Sequence, residues 1–436
     1  MSVSDMFRDF LSNIQVEKSD QFKQRYGEIT KALNMKFRDT DSTIDNSLQV
    51  GSYGRYTGIK GISDLDMIYI MPSSNWDDYK DQKQSKLLAD VRDAIKARYP
   101  STNVKVDGLV VSVKYQNFHV EVQPVFNRYN NNQDESGYYE FPHTGGEGSW
   151  KKTKPRQEMK AVHDLNLQKN KNLRLLCKMI RAWRNKHGVA MGGLLIDTLA
   201  FNFLKSTTEY DDKGYHYFDW LSRDYFKYIS ELPDQDHYKA PGSNQNVKVK
   251  KKFQKKANEA YELCLAAIEA EGKSSVNDKW KKVYGHNFPS GKALKESLES
   301  ASTSWEDTEE FIEEQYSVDI RYNISIDCEV RQDGFLMHKL SYMLLKHIPL
   351  LSNKELLFKV TAYDIPDNFT LKWKVLNRGQ VAKNKNQIRG QIIDDQGYRE
   401  RKESTSFQGE HFVECYAIQD DVVVARASID VPIQQR

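Results

Sequence analysis

Cysteine, net charge and long apolar runs are what this sequence has little of. Four cysteines, Cys177, Cys264, Cys328 and Cys415, lie far apart with no C-x-x-C spacing, which argues against a zinc module and fits a reducing, cytoplasmic setting. A formal net charge of only +3 implies no general affinity for polyanions, so stable binding of duplex nucleic acid is not expected. No apolar run approaches bilayer length, and the opening MSVSDMFRDFLSNIQ carries charges where a signal peptide needs an apolar centre; no membrane association is expected. Length and aromatics are plentiful instead. With 436 residues, 24 Tyr and 7 Trp, the chain can build two or three domains, each with its own core.

The chemistry concentrates in Gly51 to Ile70, GSYGRYTGIKGISDLDMIYI. Gly51-Ser52 reads as a turn whose backbone N–H groups and hydroxyl suit a phosphate. A strand follows, on which Asp64 and Asp66 project to one face and Leu65 to the other. Two carboxylates so close stay ionised only beside positive charge, and a hard divalent cation such as Mg²⁺, shared with substrate phosphates, fits that need. Taken alone, Asp-x-Asp also describes a solvated strand end. Further on, Val110 to Tyr115 and Phe118 to Phe126 read as strands joined by Gln116-Asn117, and the second carries Glu121 among apolar and aromatic neighbours. Glu121 is either a third metal ligand or a salt-bridged residue at a sheet surface.

Gly51-Ser52, Asp64-x-Asp66 before an apolar run, and a later strand of the form acid-Val-x-Pro-x-Phe together resemble the nucleotidyltransferases of the DNA polymerase β fold. Among these the sequence is most similar to the bacterial cGAS-like enzymes, the CD-NTases or SMODS proteins, which make oligonucleotide second messengers in antiphage defence. The resemblance implies that Asp64, Asp66 and Glu121 bind two Mg²⁺ ions, with Mn²⁺ an alternative, and act catalytically, and that Gly51 and Ser52 hold nucleotide. Glu121 stands where the family usually has Asp. The family's helix motif Ile/Met-Lys-x-Trp, which supplies a lysine to the triphosphate, is matched loosely by Cys177-Lys178-Met-Ile-Arg181-Ala-Trp183; the resemblance assigns the phosphate contact to Lys178, with Arg181 as substitute. The next motif, Lys-Ser-Tyr, is altered, with Gly193 in the serine place.

The fold class this implies is α+β: a polymerase β-like nucleotidyltransferase lobe of mixed sheet and helices, then a helical lobe, then a small β-sandwich-like domain. The expected bounds are 1–154, including a spine helix from Ser19 to about Arg38, then 155–317 and 318–436. Within the first lobe a helix is expected over Asp77 to Tyr99, and Tyr129 to Trp150 reads as a loop. In the second, Asp234 to Gln245 reads as a turn. The basic run Lys248 to Lys256 is either an exposed helix flank or an electrostatic guide for nucleotides. Ser300 to Glu314 reads as a polar cap or link between lobes. In the last segment alternating runs predict strands, with a helix from about Phe335 to Leu351. This segment resembles the AGS-C nucleotide-sensor domain through Trp373 to Gly379, Arg389-Gly390, Gly409-Glu-His411 and Ala425-Arg426. Trp373, Arg389, His411 and Arg426 either grip a nucleotide or serve the core.

The expected activity is template-independent synthesis of an oligonucleotide second messenger, a cyclic di- or trinucleotide, from nucleoside triphosphates. The product then acts on a separate effector protein. Three alternatives stay open: a linear ribo- or deoxyoligonucleotide, protein-primed or not; a non-catalytic nucleotide sensor or scaffold; and transfer of a nucleotide to a protein, an RNA end or a small drug, as other branches of the fold that the sequence resembles do.

Overall fold

Period-two alternation across Asp64–Ile70 builds the centre of the first sheet. In this computed structural model the described residues are 2–16, 19–61, 64–116, 118–128, 137–290, 310, 312–318, 320–346, 348–366, 368–377, 390–405 and 409–434. The chain divides into two units, 1–298 and 299–436.

In the first unit, helices α1 (Val3–Asn13) and α2 (Ser19–Phe37) precede strand β1 (Ser47–Gln49), a single helical turn α3 (Gly51–Gly54) and strand β2 (Asp64–Ile70). Helices α4 (Trp76–Tyr79) and α5 (Gln84–Arg98) lead into β3 (Asn103–Asp107), β4 (Val110–Lys114) and β5 (His119–Asn127). The sheet runs β1-β2-β5-β4-β3, and β2 and β5 lie parallel. Leu65, Met67 and Tyr69 of β2 and Val120 and Val122 of β5 point to one face. There they pack on the stripe Phe22, Tyr26, Ile29 and Leu33 of α2 and on Leu87, Leu88, Val91 and Ile95 of α5. Alternation therefore sends Asp64, Asp66, His119 and Glu121 to the opposite face.

Two expectations for this lobe are corrected. The helix expected over Asp77 to Tyr99 is two helices, broken where Gln82 takes a left-handed φ of 55°. The stretch read as a loop contains the hairpin β6 (Tyr139–His143) and β7 (Ser149–Thr153), with β6 extending β5. Gly146 and Gly148, at φ of 65° and 85°, make its turn. Trp150 packs on Trp76 and Phe126, so the hairpin is anchored by aromatic burial.

Helices α6 (Pro155–Gln168), α7 (Asn172–His187), α8 (Gly193–Lys205) and α9 (Phe218–Ser230) follow. Next come a hairpin of β8 (His237–Lys239) and β9 (Asn246–Lys248), connected by a turn within the stretch where one is expected, and helices α10 (Gln254–Ile268) and α11 (Val276–Tyr284). Lys250, Lys251, Lys252, Lys255 and Lys256 are exposed, with Lys256 paired to Glu259 at 2.7 Å and Lys252 to Asp234. α1, placed by the sequence reading with the catalytic lobe, buries its apolar face in the helical core. Phe7 there meets Phe10, Phe218, Trp280, Tyr284 and Phe288 edge-on. Among the described residues no helix is long and apolar enough to cross a membrane.

The second unit holds two sheets around one core. One contains β10 (Ser317–Val318), β15 (Thr370–Asn377), β16 (Ile392–Asp394), β18 (Gly409–Gln419) and β19 (Val422–Gln434) in the order β10-β19-β18-β15-β16, with β13 (Leu350–Leu351) beside β19. The other is β11 (Ile324–Gln332), β12 (Phe335–Lys339), β14 (Glu355–Tyr363) and β17 (Glu400–Ser404), ordered β12-β11-β14-β17. The helix expected from Phe335 is instead strand β12 followed by a short helix, Leu340–Leu345. Asp333 and Gly334, both at positive φ, form a two-residue turn that folds Phe335 back opposite Gln332. Trp373 is fully buried and donates its Nε1–H to Asp395 Oδ1 at 2.9 Å. His411 is 7% exposed, with Nδ1 3.0 Å from Asn377 Oδ1. Both serve the core here, and Arg426 is half-buried. Arg389 and most of Ser300 to Glu314 lie outside the described residues.

Phe7 is fully buried, so Phe7→Ala is expected to cost about 3–5 kcal/mol. Urea unfolding followed by tryptophan fluorescence checks this, and a loss under about 1 kcal/mol would show that α1 is peripheral.

Candidate functional site

Parallel pairing sets Asp64 beside His119 and Asp66 beside Glu121. Neighbouring strands are about 4.8 Å apart and same-face residues on one strand about 6.7 Å apart, so the four side chains form a small rectangle on one sheet face. His119 Nε2 lies 3.0 Å from Asp64 Oδ1 and 3.5 Å from Glu121 Oε1. One donor atom from each of Asp64, His119 and Glu121 falls within 4.8 Å of the others. Asp66 is the fourth corner, and burial, with Glu121 beside it, pushes its carboxyl up to about 6 against the pull of Arg55.

The Gly51 turn closes over Asp66. Val50 N–H donates to the Asp66 carbonyl at 3.0 Å, and Gly51 sits at φ +66° so near the side chain that a Cβ there would lie 1.8 Å from Asp66 Oδ2. Only glycine satisfies both the left-handed backbone and this contact. Gly51, Ser52, Arg55, Asp64, Asp66, Glu121, Gln123, Glu158, Arg181, Arg184 and Gly193 are among the residues lining one cavity of about 570 Å³. His119 stands beside this cavity without lining it.

The structure thus gathers Gly51, Ser52, Asp64, Asp66 and Glu121 at one cavity, but Lys178 is not among its lining residues. Arg181 is, and the spacing Ile180-Arg181-Ala182-Trp183 matches Ile/Met-Lys-x-Trp residue for residue, with arginine for lysine. Arg181 Nη1 donates to Asp197 Oδ1 at 2.6 Å and Nη2 to the Gly193 carbonyl at 3.1 Å. A Cβ on Gly193 would lie 3.3 Å from Nη2, a tight contact, so the residue in the serine place leaves room for a guanidinium.

Asp197 was not singled out from the sequence, although a lone acid in the apolar run Gly193-Leu-Leu-Ile-Asp-Thr-Leu-Ala was a signal. It is fully buried and joins the two lobes of the first unit. Arg55 Nε donates to its Oδ2 at 2.9 Å, Thr57 Oγ1 to the same oxygen at 3.0 Å, and Arg181 completes the group. Burial pushes its carboxyl up, but Arg181 and Arg55 outweigh that and hold it down to about 2. Nearby, burial raises the Glu158 carboxyl, opposed by Arg55 and by the Ser243 hydroxyl, which donates to Glu158 at 2.8 Å. Burial and the charge of Arg181 together lower Arg184. This part of the cavity is therefore electropositive and suited to an anion.

The carboxylate rectangle fits a divalent cation. Asp64 and Glu121 offer oxygen ligands within reach of one another, and Asp66 sits among like charges that a cation would neutralise.

Two family models match the chain. The family model described as the Second Messenger Oligonucleotide or Dinucleotide Synthetase domain matches residues 1–166. The one described as the Adenylyl/Guanylyl and SMODS C-terminal sensor domain matches residues 306–434. A probable cyclic nucleotide synthase of Bacillus cereus is 21% identical over 276 residues, 55% of this chain and 81% of that protein. The solved structure of E. coli CdnC with HORMA-deltaN is similar at a TM-score of 0.51 and 16% identity, covering 65% of this chain and 98% of that one. CdnC with ATP gives 0.51 and 15%, covering 66% and 99%. At these identities the structural likeness speaks to fold, and the α+β, polymerase β-like architecture with a β-rich carboxyl-terminal part is the one expected.

Asp197→Asn leaves two buried arginines short of a negative partner and is expected to cost about 3–5 kcal/mol. Because the folded carboxyl lies below its ordinary 3.8, its contribution is complete above about pH 4 and fades as pH falls toward 2. Unfolding free energies of both proteins across this range should converge on acidification, and a constant gap would contradict the assignment.

Proposed function

Because the chain belongs to the CD-NTase family, a SMODS synthetase domain followed by an AGS_C domain, we propose that it joins nucleoside triphosphates without a template into an oligonucleotide second messenger. The product proposed is a cyclic di- or trinucleotide, made in bacterial antiphage defence and acting on a separate effector protein. The observation that carries the reading is the pairing of β2 with β5, which aims three carboxylates into the cavity that Ser52, Arg181 and Arg184 also line.

In this reading Arg181 and Arg184 face the triphosphate and offset its charge, while Ser52 donates to a phosphate oxygen. Asp197 holds Arg181 and Arg55 in place from within the core. An acceptor hydroxyl oxygen attacks the α-phosphorus, the bond to the β-phosphate breaks, and pyrophosphate leaves with the electron pair. The Glu121 carboxylate receives the hydroxyl proton. A divalent cation, Mg²⁺ or Mn²⁺ and by family analogy a pair of them, would be held by Asp64, Asp66 and Glu121; it supplies acidification of the hydroxyl and neutralisation of the phosphates. The AGS_C domain is proposed to sense nucleotide through residues other than Trp373, whose ring is enclosed in its own core.

Incubating the full chain with Mg²⁺ or Mn²⁺ and each labelled ribo- and deoxynucleoside triphosphate tests the proposal. Phosphatase treatment separates cyclic from linear product, and protease treatment reveals a protein-primed chain. A phosphatase-resistant oligonucleotide is expected, lost in the Asp64→Asn, Asp66→Asn double variant. No product from any nucleotide, or undiminished product from the double variant, would contradict a catalytic role and favour a scaffold.

A further inference from the structure

The compact donor cluster is not the three acids read from the sequence. It is Asp64, His119 and Glu121, with Asp66 displaced toward the Gly51 turn. His119 reaches this place by register. It is the parallel-strand partner of Asp64 and lies two residues before Glu121 on the same face of β5. The single nitrogen Nε2 is the atom close to both carboxylates, at 3.0 and 3.5 Å. With its side chain 28% exposed, the ring is neither locked in the core nor free in solvent.

We propose that His119 Nε2 is a direct ligand of the divalent cation, completing a one-nitrogen, two-carboxylate set with Asp64 and Glu121, and that it biases the site toward Mn²⁺ over Mg²⁺. The inference rests on the reading that these carboxylates hold a cation. Mg²⁺ takes oxygen ligands almost exclusively and gives up its water reluctantly, whereas imidazole nitrogen is a good ligand for first-row transition ions. The lateral pairing with Asp64 supports ligation, since it brings the ring nitrogen to the carboxylate oxygens without any change in backbone. Asp66, fixed beneath the Gly51 turn, remains on hand for a cation that arrives with the triphosphate.

The test measures metal binding directly, without nucleotide. Titration of the full chain with Mn²⁺ and with Mg²⁺, by calorimetry and by the loss of free-Mn²⁺ electron paramagnetic resonance signal, gives the preference of each variant. The wild type is expected to prefer Mn²⁺, and His119→Gln to lose roughly tenfold or more of its Mn²⁺ affinity with little change for Mg²⁺, a scale on which metal sites respond even to loss of an outer-shell partner. Pulsed resonance of bound Mn²⁺ is expected to show coupling to a coordinated nitrogen that disappears in His119→Gln. Mn²⁺ bound in an Asp64-dependent way but without nitrogen coupling would overturn the histidine assignment and leave the carboxylate site standing. Absence of Mn²⁺ binding to the folded wild type would overturn both. Circular dichroism of His119→Gln confirms that an altered preference is not loss of fold.

Discussion

Like charge held at close quarters is the constraint on which the first unit depends. The register of β2 against β5 sets Asp66 beside Glu121 and leaves Asp64 one step along the same face. Two unit charges about 4 Å apart repel by roughly 4 kcal/mol at an effective dielectric of about 20, comparable to the gain from burying one or two large apolar side chains. The strands pair nonetheless, because their opposite face buries Leu65, Met67, Tyr69, Val120 and Val122 against α2 and α5. Polar partners complete the balance on the polar side. Arg55 pulls Asp66 down, and His119 stands between Asp64 and Glu121.

The second consequence is a buried polar joint between the two lobes of that unit. Arg55 comes from just after the Gly51 turn, Arg181 from α7 and Asp197 from α8. A carboxylate fully enclosed with two guanidinium groups is costly unless every bond is made, and here both of its oxygens accept. Such a joint fixes the angle at which α7 presents Arg181 to the cavity, so the composition of the anion-facing wall follows from a residue that touches no solvent. Gly193 belongs to the same arrangement, giving its carbonyl to Arg181 and withholding a side chain that would crowd it.

Much of this is legible in the sequence. Period-two alternation in Asp64 to Ile70 placed both aspartates on one face, and the apolar stripe of α2 announced a core helix. Glu121 stood out as the one acid in an apolar strand, and His119 has the same parity, but its pairing with Asp64 depends on strand register, which no local pattern encodes. Residue type in the helix motif favours Lys178, whereas spacing to Trp183 favours Arg181, and Arg181 is the one that lines the cavity. Two hairpins lie where the sequence reads as helix or as loop. Asp333-Gly334 is a strong two-residue turn signal that a run of Leu, Met and His after it disguised as a helix, and Gly145 to Gly148 separates strands short enough to read as loop. Trp373 was ambiguous in sequence because an aromatic side chain serves a core and a base-stacking platform equally well; its burial decides for the core in this structure.

The central claim is that the acids of two paired strands, facing a wall of arginines, form one nucleotide and cation site. Anomalous diffraction from crystals of the full chain soaked with Mn²⁺ and a non-hydrolysable nucleoside triphosphate tests it most directly. A manganese peak is expected on the sheet face that carries Asp64, Asp66, His119 and Glu121, with the triphosphate directed to Ser52, Arg181 and Arg184. Triphosphate bound elsewhere on the unit, with that sheet face free of manganese, would contradict it.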